Sequence, residues 1–307
     1  MHDKKPKDFE IDFIGIGTPK CGTEWLWACL KEHPEIGFSK HKEVNFFLSP
    51  SKGWTNIVYE NKRIKSWEKY AQEFSHAKSK TKGEFSIHYI FDSKAQKKLK
   101  KAFPNIKVIV TIRDPVSFLH SMYWYMKYSN IYHLIPNSFE EALKTKIKDD
   151  FYHPSKPKWA KLIKQLYSLF GQENVHVILQ DDIRDNPEKV VKGAFKFLGV
   201  DKNFKPKFLH QRVNPTRQIR SPVLMRLVYL VVNTAYKTGF SPVINRIINT
   251  SNPIKTIYKK IAHTNKKYPK MNKKLENKLR EYYLEDIEEL EKILKRDLSL
   301  WKTGKSF

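Results

Sequence analysis

A short apolar run, Ile11–Ile16 (IDFIGI), ends in glycine and leads directly into Gly17-Thr18-Pro19-Lys20-Cys21-Gly22-Thr23. Thr23–Lys31 then reads as a helix, closed by His33-Pro34. A strand, a glycine-bearing turn and a helix in immediate succession constrain this chain more than any other feature. Such a turn gathers backbone N–H groups and the positive end of a helix dipole at one point, where an anion is stabilised. Gly17 and Gly22 have the spacing of a nucleotide-phosphate loop. However, Thr23 stands where that motif needs Lys before Ser/Thr, and the lysine lies inside the turn, at position 20. An ordinary ATPase or GTPase is thereby disfavoured, while phosphate binding and a purely structural turn both stay open.

The same alternation continues along the chain. Gly83–Ile87 is a second strand candidate and Ile106–Ile112 (IKVIVTI) has the unbroken pattern of a buried strand. Pro115–Lys127 reads as a helix with proline in its first turn, and Val175–Leu179 as a further strand. Pro187–Leu198 follows as a helix with Val190, Val191, Ala194, Phe195 and Leu198 on one face and Gly199 as its stop. Strands interleaved with helices predict an α/β fold with a parallel sheet. No linker or repeat divides the chain, so residues 1–307 are expected to form a single domain. Leu275, Leu279, Tyr283, Ile287, Leu290 and Leu294 recur at helical steps, which predicts a C-terminal helix within 271–301 packed on the core. Residues 221–261 are apolar, basic and punctuated by Gly239, Pro242 and Pro253. They are assigned to a substrate-facing helical insertion.

The formal charge is +26, from 58 basic against 32 acidic residues, which raises the question of an anionic partner. Of the basic residues 48 are Lys and only 10 Arg, spread along the whole chain. Diffuse, hydrated lysines fit a solvated surface better than the forked recognition of nucleic acid. Cys21 and Cys29, eight apart in what reads as helix, are unsuited to a disulfide framework and fit a reducing compartment. No secretory h-region is visible, and the most apolar segment, Val223–Val232, is interrupted by Arg226 and too short to span a bilayer. The expectation is a soluble, cytoplasmic protein. His and carboxylate spacing suggests no metal.

Thr18–Leu26 (TPKCGTEWL) resembles the 5′-phosphosulfate loop of sulfotransferases that use 3′-phosphoadenosine 5′-phosphosulfate (PAPS). Glu24 departs from the threonine of the cytosolic branch and is expected to point away from the donor. Three further segments match in order. His41–Phe47 (HKEVNFF) is similar to the K-E-x-x-F-F stretch of heparan-sulfate-type and bacterial-type carbohydrate sulfotransferases. Ile112-Arg113-Asp114-Pro115 with Ser121 resembles the 3′-phosphate motif. Leu179–Gly199 resembles the later E-D-L…P…F-L-G segment, and Arg296–Trp301 the family's last helix. The resemblance implies a three-layer, P-loop-like fold with a central parallel sheet flanked by helices. It also implies PAPS as donor, 3′-phosphoadenosine 5′-phosphate (PAP) as product, and a glycan, lipid or small-metabolite acceptor.

The resemblance assigns roles residue by residue. Lys20 would follow the leaving phosphate, while Cys21, Gly22 and Thr23 would line the 5′-phosphate. Arg113 and Ser121 would hold the 3′-phosphate. Trp25 either flanks the nucleotide or belongs to the core. Glu43 is the candidate base for the acceptor, with His88 as its rival and His41 as a third choice. Phe85 stands where the heparan branch often carries lysine. Arg212, Asn214, Arg217 and Arg220 fall where the family places a loop over the nucleotide's 3′ side, and either a cofactor lid or acceptor binding fits them. The competing readings are another P-loop-like, kinase-like transferase, and a non-catalytic basic protein on nucleic acid or a membrane surface.

Overall fold

The computed structural model describes residues 4–49, 64–127, 135–144, 153–211 and 268–304, with residue 234 and the backbone of 218–219 and 263–264. Five strands, β1 Phe13–Gly17, β2 Ile36–Phe38, β3 Thr81–Phe85, β4 Lys107–Ile112 and β5 Val175–Leu179, form one all-parallel sheet in the order β2-β3-β1-β4-β5. A separate two-residue antiparallel pair, Gln218–Ile219 with His263–Thr264, lies near the ends of the apolar basic segment. The helices are α1 Thr23–Lys31, α2 Trp67–Gln72, α3 Ser93–Ala102, α4 Pro115–Lys127, α5 Phe139–Ala142, α6 Trp159–Phe170, α7 Gln180–Asp185, α8 Pro187–Leu198, α9 Lys273–Leu294 and α10 Ser299–Thr303.

The pleat of the sheet sorts its side chains into two cores. On one face Ile14, Ile16, Val108, Val110 and Ile112 pack against residues of α2, α3, α4, α6 and α9. On the other, Phe13, Phe85, Ile109 and Ile178 pack against α1 and α8. Each fully buried aliphatic or aromatic side chain contributes about 1.5–3 kcal/mol through burial. Between β1 and β3 the packing interlocks. Phe13 pairs with Gly83 and Gly15 with Phe85. A Cβ on either glycine would come within 2.5 Å of the facing phenyl carbons. The three-layer α/β architecture agrees with the expected fold class.

Several helices occupy the expected residues, among them α1, α4 and α8, with Gly199 left-handed at the end of α8. Three details differ. Cys21 lies in the turn before α1 rather than in a helix, and both cysteines are free and buried. The β3 strand starts at Thr81, which pairs with Ile36 of β2, and ends at Phe85, after which Ser86 N–H makes a last bond to the Gly15 carbonyl and the chain turns into Tyr89–Phe91. Finally, β2 is a three-residue strand, too short to leave a period in the sequence.

The C-terminal helix is tied to the sheet by a buried polar cluster as well as by Leu279, Tyr283, Ile287 and Leu290. Arg280 of α9 donates to the Trp301 carbonyl at 2.5 Å, to Glu276 at 2.8 Å and to Asp114 at 3.4 Å. Trp301 Nε1 in turn donates to Asp181 at 2.6 Å, and Arg296 forks onto Asp182 at 2.7 and 3.1 Å.

Candidate active site

In an open parallel sheet, ligands bind beyond the C-terminal strand ends, where the connections diverge to the two sides. Here that point lies between β1, whose chain continues toward β2 and β3, and β4, whose chain continues to β5. The glycine-bearing turn follows β1 and Arg113 follows β4, so the two face each other across it.

The turn is fixed from the β4 side. Thr18 N–H donates to the Thr111 carbonyl at 2.9 Å, and the Arg113 guanidinium donates to the Lys20 carbonyl at 3.3 Å. Gly22 precedes α1 with φ 87°, and a Cβ there would meet Ile183 of α7 at 2.6 Å. The left-handed backbone favours glycine, and any Cβ would have to displace the Ile183 methyl. Thr23 is buried as the first residue of α1, whose first-turn N–H groups have no partner within the helix.

Two cations meet at this place. Burial first, and then the Arg113 charge, push the Lys20 ammonium down to about 8. Burial likewise lowers the Arg113 pKa, and its Nε is buried without a hydrogen-bond partner. Desolvated like charges beside a helix N-terminus are what a bound polyanion would relieve. The residues therefore fit a nucleotide phosphosulfate. Cys21 beside them is buried, and desolvation pushes its thiol up to about 12, so it acts as packing and not as a nucleophile. Asp114 locks the Arg113 corner. Its carboxylate accepts from Val116 N–H at 3.1 Å, the Ser117 hydroxyl at 2.5 Å and Arg280, while Trp159 donates to the Arg113 carbonyl at 2.7 Å. Ser121, half-buried, lies one helical turn beyond Ser117 on α4.

Glu43 sits on the loop leading away from β2. Its N–H donates to the carbonyl of Phe85 at 2.9 Å. Both Glu43 and Asn45 have left-handed φ, 60° and 52°. For residues with a side chain this costs about 1–3 kcal/mol each and persists only where the surroundings enforce it. Tyr125 of α4, half-exposed, joins the pieces. Lys20 Nζ lies 4.7 Å from its ring centroid, and burial followed by Glu43 and Glu24 raises its pKa. Glu24 is paired with Lys42. Lys20, Glu43 and Tyr125 are thus brought to one place. Sequence reading did not single out Tyr125, although its position four residues after Ser121 on the same helix face was the available signal.

The other candidates differ in setting, and of them His88 lies in the turn after β3 whose Ile87 carbonyl approaches Gly17. His88 is buried, and desolvation pushes it down to about 3. His41 is exposed and contacts Glu73 at 3.1 Å. The Trp25 indole is buried in the α1–α8 core and donates to the Leu209 carbonyl at 3.1 Å. Arg212, Asn214, Arg217 and Arg220 lie outside the described residues. No group of His, Cys and carboxylates among the described residues could hold a metal.

The family model described as "Sulfotransferase domain" matches residues 10–291. This chain belongs to the sulfotransferase family. It is 24% identical over 298 residues to the membrane-associated sulfotransferase kil1 of Dictyostelium discoideum, covering 68% of this chain and 61% of that protein. It is 29% identical over 154 residues to human carbohydrate sulfotransferase 15, covering 38% of this chain and 28% of the relative. The chain therefore spans less than two thirds of either relative. A crystal structure of a sulfotransferase from Alicyclobacillus acidocaldarius shares the fold, with a TM-score of 0.67 at 22% identity. The match covers 96% of this chain and 99% of that one. Among the described residues no helix is long and apolar enough to cross a membrane.

Proposed function

We propose that this protein is a PAPS-dependent enzyme that transfers the sulfuryl group by in-line displacement to a hydroxyl, with an amine as second choice, of a carbohydrate, glycolipid or small metabolite. The observation that carries this reading is the pair of desolvated cations, Lys20 and Arg113, at the mouth between β1 and β4 beside the α1 N-terminus. PAPS, when bound, supplies an activated sulfuryl group and leaves as PAP.

The chain's residues then divide the work. The turn at Cys21, Gly22 and Thr23 offers backbone N–H groups to the 5′-phosphate, and Arg113 and Ser121 take the 3′-phosphate. Lys20 keeps its proton at neutral pH and presents it to the bridging oxygen as negative charge grows there. Glu43 accepts the proton of the acceptor hydroxyl. Its support over His88 is location: Glu43 shares Tyr125 with Lys20, whereas His88 is buried and its imidazole is held near pKa 3, a reluctant base. The match over 10–291 supports one domain, and the free cysteines support a reducing, cytoplasmic setting.

Thermal-shift measurements with PAP, ATP and duplex DNA test the donor site, and labelled PAPS with a panel of glycans, glycolipids and phenols tests the transfer. PAP is expected to stabilise the protein where ATP and DNA do not. Stabilisation by ATP alone would favour a kinase-like enzyme, and by DNA alone a basic binding protein. Glu43→Gln is expected to lose at least about a hundredfold in turnover while keeping the PAP shift. Near-normal turnover in that variant moves the base to His88.

A further inference from the structure

The Glu43 loop is held from below by a buried polar network that the proposed chemistry does not use. Glu84, in β3, is fully buried on the sheet face that also carries Tyr70 and Phe47. Its two carboxylate oxygens accept separate hydroxyls, Tyr70 at 2.9 Å and Ser86 at 2.8 Å. The Ser86 oxygen then accepts the N–H of Asn45 at 3.1 Å, and the Tyr89 hydroxyl accepts the N–H of Phe47 at 2.9 Å. Together with Glu43 N–H on the Phe85 carbonyl, alternate amides of residues 43–47 are pinned to one wall made of residues 85–89.

The polarity of this network is dictated by one group. A serine hydroxyl has a single hydrogen, and a carboxylate accepts without donating. While Glu84 takes the Ser86 hydrogen, the Ser86 lone pairs are left for Asn45. Remove the acceptor and the hydroxyl is free to rotate, turning its hydrogen toward the amide it had been receiving. Asn45 and Glu43 are the two left-handed residues of the loop, so the lost bond falls where the backbone most needs enforcement. A buried carboxylate is otherwise a costly core residue, and packing alone would be served as well by an apolar one.

We infer that Glu84 is a positioning residue that orders residues 43–47 through Ser86 and so sets the aim of the Glu43 carboxylate. The inference rests on the reading of Glu43 as the base, but its test does not. Hydrogen exchange of backbone amides, followed by NMR or mass spectrometry on the full chain at pH 8, reads the loop directly. Glu84→Gln keeps the shape and replaces one acceptor by a donor. Exchange at Asn45 and Phe47 is expected to rise at least tenfold, with β1 and β4 unchanged and the PAP-induced thermal shift kept. Should Glu84→Gln fail to fold, Ser86→Ala is expected to raise exchange at Asn45 alone. Wild-type exchange in 43–47, an equal rise in β1 and β4, or loss of the PAP shift in the variant would each overturn the inference. A wild-type protein that PAP does not stabilise would sink the sulfotransferase donor site and leave the loop result standing.

Discussion

In its proposed role Lys20 must stay protonated to serve the leaving phosphate, yet its burial beside Arg113 sets its pKa at about 8. For kcat/KM with PAPS, which reports the free enzyme, the rate should therefore fall with unit slope above about pH 8. Lys20→Arg, charged at every accessible pH, should lower the rate but remove that bend below pH 10. A wild-type profile flat to pH 10 would refute the assignment. Glu84 gives a second titration, of opposite consequence. Burial raises it to about 7, offset in part by Ser86 and Tyr70, with Glu73 adding to the rise, while Tyr89 faces it from the turn after β3. A carboxyl whose folded pKa exceeds its unfolded value stabilises fully below the unfolded value, near 4.5, and that contribution is lost as pH rises through 7. Urea unfolding should show wild type losing about 3 kcal/mol relative to Glu84→Gln between pH 4.5 and 8. A constant difference across that range would mean that folding leaves the Glu84 pKa near 4.5, and would refute its rise. The ordered Glu43 loop is then obtained at some cost in stability.

At the scale of elements, α9 and α10 act as a strut behind the donor site. Arg280 and Asp114 are buried to 6% and 4% side-chain exposure, and Asp114 also caps α4 directly after Arg113. Removing one partner of such a pair typically costs about 3–5 kcal/mol, whereas an exposed pair such as Arg296–Asp182 is worth under about 1 kcal/mol. Arg280→Met should lower stability by the larger amount and weaken PAP binding, and Arg296→Met should do little of either. Equal effects on unfolding midpoints would contradict the strut. These elements also show what the sequence made legible. Strong signals such as the IKVIVTI run and the turn Gly17–Thr23 placed α1 to the residue, β4 within one and β1 within two. The anchoring roles of Asp114 and Glu84 gave no such signal, because a buried acid and a solvated one look alike until the partners, Arg280 at 166 residues' distance and Tyr70 on another helix, are in place. Tyr125 was hidden for the same reason: its neighbours Lys20 and Glu43 come from loops far away in the chain.

For the whole molecule, the charge of +26 can act on PAPS only within the reach of screened electrostatics. At physiological ionic strength that reach is about 8 Å. The exposed lysines Lys97, Lys98 and Lys101 run from the middle of α3 to its end, which leads into the N-terminal end of β4, while Arg113 follows its C-terminal end. A six-residue strand separates those ends by about 20 Å, more than two screening lengths. Their contribution to donor capture should therefore be small in the presence of salt, and that of Lys20 large. The Lys97→Gln, Lys98→Gln, Lys101→Gln triple variant should keep kcat/KM for PAPS within about twofold at 150 mM salt and differ from wild type only when salt is lowered toward 10 mM, where screening reaches about 30 Å. Lys20→Ala should lose at least about a hundredfold at either salt, since in the proposed role Lys20 acts at contact with the leaving oxygen. A triple variant crippled at 150 mM would mean that the lysine surface itself, and not the pair of buried cations, governs donor binding.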